Sequence, residues 1–181
     1  MGTDASSLSS EDTKGIIPRA LNQIVGKMQP QSCDVSVSFQ EIYIDSIKDL
    51  LDPNNKMTQI NQALSYEPTQ VKIKDQQQVF HLLKKSEANR TVACTAANER
   101  SSRSHSILQI TIPFEDRKAT LSLVDLAGSE RLNTTKVEGE RLKETQAINK
   151  SLSALADVIS AMKEKESHVP YRNSKLTFLL Q

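Results

Sequence analysis

Two short stretches concentrate the side chains that could do chemistry. Residues 98–106, NERSSRSHS, put two arginines, a histidine and four serines into nine positions, and residues 123–131, LVDLAGSER, end an apolar run on an aspartate with a glycine three residues later. Serine hydroxyls can serve a metal ion or a phosphate oxygen, and arginine makes bidentate, charge-assisted bonds to phosphate or carboxylate. Asp125 at a strand end could hold a metal-bound water, while Gly128 would offer a backbone N–H to a terminal phosphate with no side chain in the way. That combination is what a magnesium–nucleotide site needs. The same residues also make a strand, a tight turn and a solvated loop with capping serines, and D-x-x-G alone does not choose between the two. His105 reads as a structural hydrogen-bonder.

The totals narrow the field. The chain has 181 residues, room for one domain with a real core. With 23 basic and 22 acidic residues the formal net charge is +1, so no global field draws the chain to nucleic acid or membrane, and a polyanionic partner must be met by a local patch. Cys33 and Cys94 fit no metal or redox spacing, and two cysteines do not make a secreted disulfide scaffold, which points to a reducing, intracellular setting. No apolar stretch approaches the ~20 residues that cross a bilayer, and the N-terminus lacks a signal-peptide layout. The expectation is a soluble protein with neither nucleic acid nor membrane as partner. MGTDAS fits the loose N-myristoylation pattern at Gly2, a six-residue match read as coincidence.

The elements that must position the two clusters follow from periodicity. Residues 1–14 are polar and serine-rich and read as a flexible lead-in to a domain over 15–181. GIIPRALNQIVGKM predicts a helix with Pro18 in its first turn and Leu21, Val25 and Met28 on one face. CDVSVSFQEIYI predicts a half-buried strand, Val35, Val37 and Phe39 inward against Ser36, Ser38 and Gln40. A short helix over Asp45–Leu51, a turn at Asp52-Pro53-Asn54-Asn55 and an irregular stretch from Met57 to Pro68 follow. VKIK predicts a short strand, and QQQVFHLLKKSEAN a helix with Val79, Leu82 and Leu83 inward.

SILQITI (106–112) and ATLSLVDL (119–126) are the strongest strand signals, joined by the polar link PFEDRK, and the second is apolar enough on both faces to be central. A long helix comes next, its predicted inward stripe being Leu142, Ile148, Leu152, Leu155, Ile159 and Met162. It breaks at Pro170, and LTFLLQ starts another apolar element. Interspersed strands and helices without internal repeats give a single layered α/β protein, in which loops leaving the sheet gather one site.

Taken in order, NERSSRSH, LVDLAGSER, ETQAINKSLSALADVI and HVPYRNSKLT resemble the signatures of the kinesin motor domain. GIIPRAL, SFQEIYIDSIKDLL and NRTVACTAANERSSRSH are similar to their kinesin counterparts, so the resemblance runs from Gly15 onward. It implies a P-loop NTPase-type three-layer α/β/α domain with a mixed central sheet, ATP and Mg2+ as ligands, microtubules as partner, and a cytoplasmic, cytoskeletal location that includes the spindle. NERSSRSH resembles switch I, which would turn Asn98, Ser101, Ser102 and Arg103 to the nucleotide, with Ser102 nearest the magnesium. DLAGSE resembles switch II, giving Asp125 the metal-water role, Gly128 the γ-phosphate contact and Glu130 a latch to Arg103. The long helix resembles the relay that lies on the microtubule, with Asn149 and Lys150 as contacts. Ser167–Gln181 adds Arg172 and Lys175 with no acidic residue. KETQAINKSLS and ESHVPYRNSKLT most resemble kinesins with a C-terminal motor, which walk toward minus ends.

One family part has no counterpart. The phosphate loop G-x-x-x-x-G-K-[ST] is missing: the one Gly-Lys pair, Gly26-Lys27, is followed by Met28. Met1-Gly2 resembles the end of the strand that follows that loop, and kinesins continue past YRNSKLTFLLQ, so the expectation is a partial motor of roughly half a core with open, apolar sheet edges and little ATPase activity alone. A dimer partner would act through regions outside these residues. The alternative is a non-catalytic, kinesin-derived microtubule-binding or regulatory protein.

Overall fold

The computed structural model describes residues 15–27, 34–52, 54, 57–59, 66–92, 102–114, 116–129 and 139–181. Six strands form one sheet: β1 (Ser36–Tyr43), β2 (Ser46–Asp49), β3 (Met57–Gln59), β4 (Val71–Lys72), β5 (His105–Phe114) and β6 (Arg117–Asp125). Their order is β3-β2-β1-β5-β6, with β4 on β1 beside β2, and every pairing among the described residues is antiparallel. Among the described residues four α-helices cover it: α1 (Ile16–Lys27), α2 (Gln76–Val92), α3 (Glu140–Glu164) and α4 (Lys175–Leu179), with a short 3-10 helix (Tyr171–Asn173) ahead of α4.

Side-chain alternation along β1 and β5 divides the core in two. Val35, Val37, Phe39, Leu108 and Ile110 pack on Ile17 and Leu21 of α1 and on Val79, Leu82 and Leu83 of α2. Leu21, with Val25 partly buried beside it, and the three α2 residues lie inward as the periodicities predict, and Met28 lies outside the described residues. Ile42, Ile47 and Ile107 pack on Leu176 of α4, with Leu155 of α3 against them. Helix, sheet, helix is the three-layer arrangement the resemblance implies.

Several expectations are corrected. The predicted helix over 45–51 is strand β2: Tyr43 pairs with Ser46, so Ile44 and Asp45 form a two-residue hairpin turn, with Ile44 at φ 56°. The hairpin escapes notice because such turns usually carry Asn-Gly or another residue tolerant of positive φ. The irregular stretch contains β3, which pairs with β2. In the predicted turn, Asn54 donates its backbone N–H to the Asp52 carboxylate over 2.9 Å, while residues 53 and 55 lie outside the described set.

Strand β1 is not half-buried, because α3 and α4 cover its polar face and leave Ser38 and Gln40 without exposed surface. Strand β6 is last in the described order rather than central, and its Leu121 is 44% exposed. Strands β5 and β6 also extend into the predicted link, to Phe114 and from Arg117.

Helix α3 is present but turned from its predicted stripe. Ile148, Ser151, Ala154, Val158 and Ala161 are buried, while Ile159 and Met162 are 59% and 57% exposed. Small residues make up much of this face: Ser151, Ala154 and Ala161 are buried, a stripe that a count of large apolar residues misses. The helix stops at a left-handed Lys165 (φ 55°), whose N–H and that of Glu166 bond back to the last turn, so Pro170 lies beyond the break. Ser174 then starts α4 with a reciprocal capping pair to Thr177.

Candidate functional site

Ser102 to His105 lead into β5, and Leu126 to Ser129 leave β6; since these strands pair with Ser106 opposite Asp125, both loops emerge at the same end of the sheet. They touch through the backbone, where the Gly128 N–H donates to the Ser102 carbonyl over 3.0 Å. Ser102 and Gly128 are exposed and Asp125 is half-buried at its strand end. An added Cβ on Gly128 would meet that carbonyl at 3.8 Å, ordinary contact, and the residue has no positive φ that demands glycine. Among the described residues, then, neither crowding nor a positive φ requires glycine at this position.

Arg103 reaches helix α3. Its guanidinium donates over 2.9 Å to the Glu144 carboxylate of α3, which also accepts the Tyr43 hydroxyl from β1, and both charged groups of the pair are largely buried. The next residue is anchored to the sheet, with the Ser104 hydroxyl donating to Glu41 over 2.8 Å and Arg90 of α2 donating to Ser104 over 3.3 Å.

His105 is 3% exposed and joins three elements. Its Nδ1 lies 3.1 Å from the Ala127 N–H and its Nε2 2.7 Å from the Ser151 hydroxyl, which itself donates to the Ile148 carbonyl over 2.7 Å. An amide N–H can only donate, so Nδ1 accepts, the ring proton sits on Nε2, and Ser151 accepts it. Burial favours this neutral form, lowering the imidazole pKa to about 4.

The predicted microtubule contacts divide. Lys150, Arg172 and Lys175 line one cleft of about 240 Å³ between the β1–β2 hairpin, α3 and α4, floored by Ile42 and Leu176, with Asp45 the single acid among its lining residues. Asn149 is half-buried beside it and does not line it. Asn98, Ser101 and Glu130 lie outside the described residues, so the Arg103–Glu130 latch does too. Sequence reasoning passed over Glu144 and Ser151. Both share the inward face of α3 with Ile148, a spacing of four and three residues that marks them in retrospect.

The family model for the kinesin motor domain matches residues 1–181. The chain belongs to the kinesin motor domain family. Carboxy-terminal kinesin 2 of Xenopus laevis is 46% identical over 193 residues, covering 95% of this chain and 30% of the relative. A structure of the C-terminal motor and motor homology domain of Kar3Vik1 superposes with a TM-score of 0.71 at 39% identity, over 99% of this chain and 51% of that one. Drosophila NOD, docked with bovine tubulin into a map of the microtubule complex, gives a TM-score of 0.73 at 26% identity over 99% of this chain and 56% of that one. The kinesin chain thus spans about a third to a half of these proteins, and its likeness to kinesins with a C-terminal motor agrees with the resemblance carried by its long helix.

Proposed function

We propose that this kinesin chain carries the nucleotide-sensing loops and much of the microtubule-binding face of a microtubule-stimulated ATPase motor. The observation that carries the reading is the direct contact of the two loops, Gly128 N–H to Ser102 carbonyl, at the strand end that holds Asp125. The donor set fits Mg–ATP: the Ser102 hydroxyl would face the magnesium, Asp125 would hold a metal water, and Gly128 would give its N–H to the γ-phosphate. Bound magnesium would supply charge neutralisation on the phosphate oxygens. Gly128 has one N–H, so it must release the Ser102 carbonyl to serve a phosphate, and the loops therefore sense the ligand by exchanging acceptors.

The second half of the reading rests on the cleft. Lys150, Arg172 and Lys175 add three positive charges around an apolar floor, a local patch of the kind a nearly neutral chain needs to meet acidic tubulin. A cytoskeletal location follows from that partner. The same cleft also suits a second reading, a non-catalytic microtubule-binding or regulatory protein.

Co-sedimentation with microtubules, with and without Mg–ATP, tests both. Nucleotide is expected to change microtubule affinity, and the triple substitution Lys150→Ala, Arg172→Ala, Lys175→Ala to weaken binding about tenfold or more at low salt. Binding that ignores ATP selects the non-catalytic reading. No binding at low salt overturns both.

A further inference from the structure

Resting on the motor reading, we propose that His105 is a positioning residue that couples the Gly128 loop to helix α3 and so to the face bearing Asn149 and Lys150. The hydrogen bonds run without a break: Ser102 carbonyl from Gly128 N–H, adjacent Ala127 N–H to His105 Nδ1, His105 Nε2–H to Ser151 Oγ, Ser151 O–H to the Ile148 carbonyl. Ala127 is buried, as are His105, Ser151 and Ile148. Water cannot substitute for a lost partner there without opening the core, so a polar group orphaned by displacement stays unsatisfied.

The imidazole is suited to this place. It is planar and rigid, with one acceptor and one donor pointing to opposite sides, so displacing the Leu126–Ala127 peptide, one residue before the Gly128 N–H, must either break the bond to Nδ1 or carry the ring and Ser151 with it. Apolar contacts tolerate sliding, whereas a hydrogen bond near 2.7 Å weakens steeply with angle. Ser151 is buried on the inward face of α3, with its hydroxyl 2.7 Å from the ring nitrogen. Lys150, next to Ser151 in sequence, lines the cationic cleft, so a shift of this turn of α3 is a shift of the microtubule-facing side chains.

A core histidine that merely satisfies its neighbours would show the same static bonds. Two substitutions separate the readings. His105→Asn keeps an amide oxygen near the Nδ1 position for Ala127 but does not reach α3, and Ser151→Ala removes the α3 end while leaving the loop intact. With the full chain, thermal unfolding first establishes that each variant folds. Each is expected to cut the nucleotide-dependent change in microtubule affinity about fivefold or more, and the double variant to lose no more than either alone. Amide exchange of Ala127 and Gly128 is expected to accelerate about tenfold in Ser151→Ala, although that substitution touches neither residue.

Unchanged exchange in folded Ser151→Ala overturns the relay, as does an undiminished nucleotide response in both single variants. A wild-type chain that binds microtubules without responding to nucleotide overturns the motor reading and the coupling with it. The exchange measurement uses neither ligand, so it still reports whether His105 transmits strain between α3 and the loop.

Discussion

Against α1 and α2 the sheet presents Val35, Val37, Phe39, Leu108 and Ile110; against α3 and α4 it presents Ile42 and Ile107 together with Ser38, Gln40, His105 and Gln109. The first face is held by apolar burial, which is strong and indifferent to direction. The second is partly held by directed bonds: His105 to Ser151 on α3, and Gln109 Nε2 to the Leu179 carbonyl at the end of α4 over 2.8 Å. Apolar contacts by themselves let a helix shift slightly at little cost, although the C-terminal half of α2 is also tied by Asn89 Nδ2 to the Leu50 carbonyl over 2.8 Å and by Arg90 to Ser104. A helix on the polar face cannot shift without changing a specific bond, and that is the face which carries the loops and the cationic cleft.

The comparison breaks first if the apolar face does not dominate stability. Leu108→Ala is expected to lower unfolding free energy by about 3 kcal/mol, read from urea denaturation, because Leu108 is 1% exposed and its removal leaves a cavity. A smaller loss than that from Ser151→Ala would reverse the assignment of the two faces.

Next comes pH, which reaches the polar face through His105. His105 titrates near 4 in the folded chain and near 6.5 unfolded, so below pH 6.5 the unfolded state binds the extra proton and stability falls as pH drops toward 4. Between pH 7 and pH 5 this residue should account for about 2 kcal/mol, absent in His105→Asn. Equal pH dependence in the two proteins would remove the buried neutral imidazole from the account.

The smallest effect sits outside both faces. The Lys72–Asp34 pair is 2.6 Å apart but its side chains are 64% and 69% exposed, and Lys72→Ala should change stability by no more than about 0.5 kcal/mol. A larger, salt-sensitive loss would show that surface charge contributes on the scale of the core.

Much of this was legible in the sequence for a physical reason. Strong periodicity placed α1, α2, β5 and β6, and the two loops met because hairpin-paired strands bring their outer ends together. Strand β2 was hidden by a turn without glycine or asparagine. The true inward face of α3 was hidden because Ser151, Ala154 and Ala161 are small and neutral or polar, and only the folded packing shows that they are buried. Glu144 reads as a solvated charge until its partners Tyr43 and Arg103 arrive from elements 101 and 41 residues away. His105 was placed as a structural hydrogen-bonder, and its two partners become visible only once the loop after β6 and the third helix are folded against it.

Ile44 gives the hairpin beside the cleft an unusual character. A β-branched residue in the left-handed region carries about 1–2 kcal/mol of backbone strain, and at 37% exposed it recovers only part of that by packing. The turn is therefore held by its surroundings against its own preference, and Ile44→Gly or Ile44→Asn would release the stored energy without touching the buried layers. For anyone stabilising this chain, the first substitution to make is at the tip of a hairpin, and the core can be left as it is.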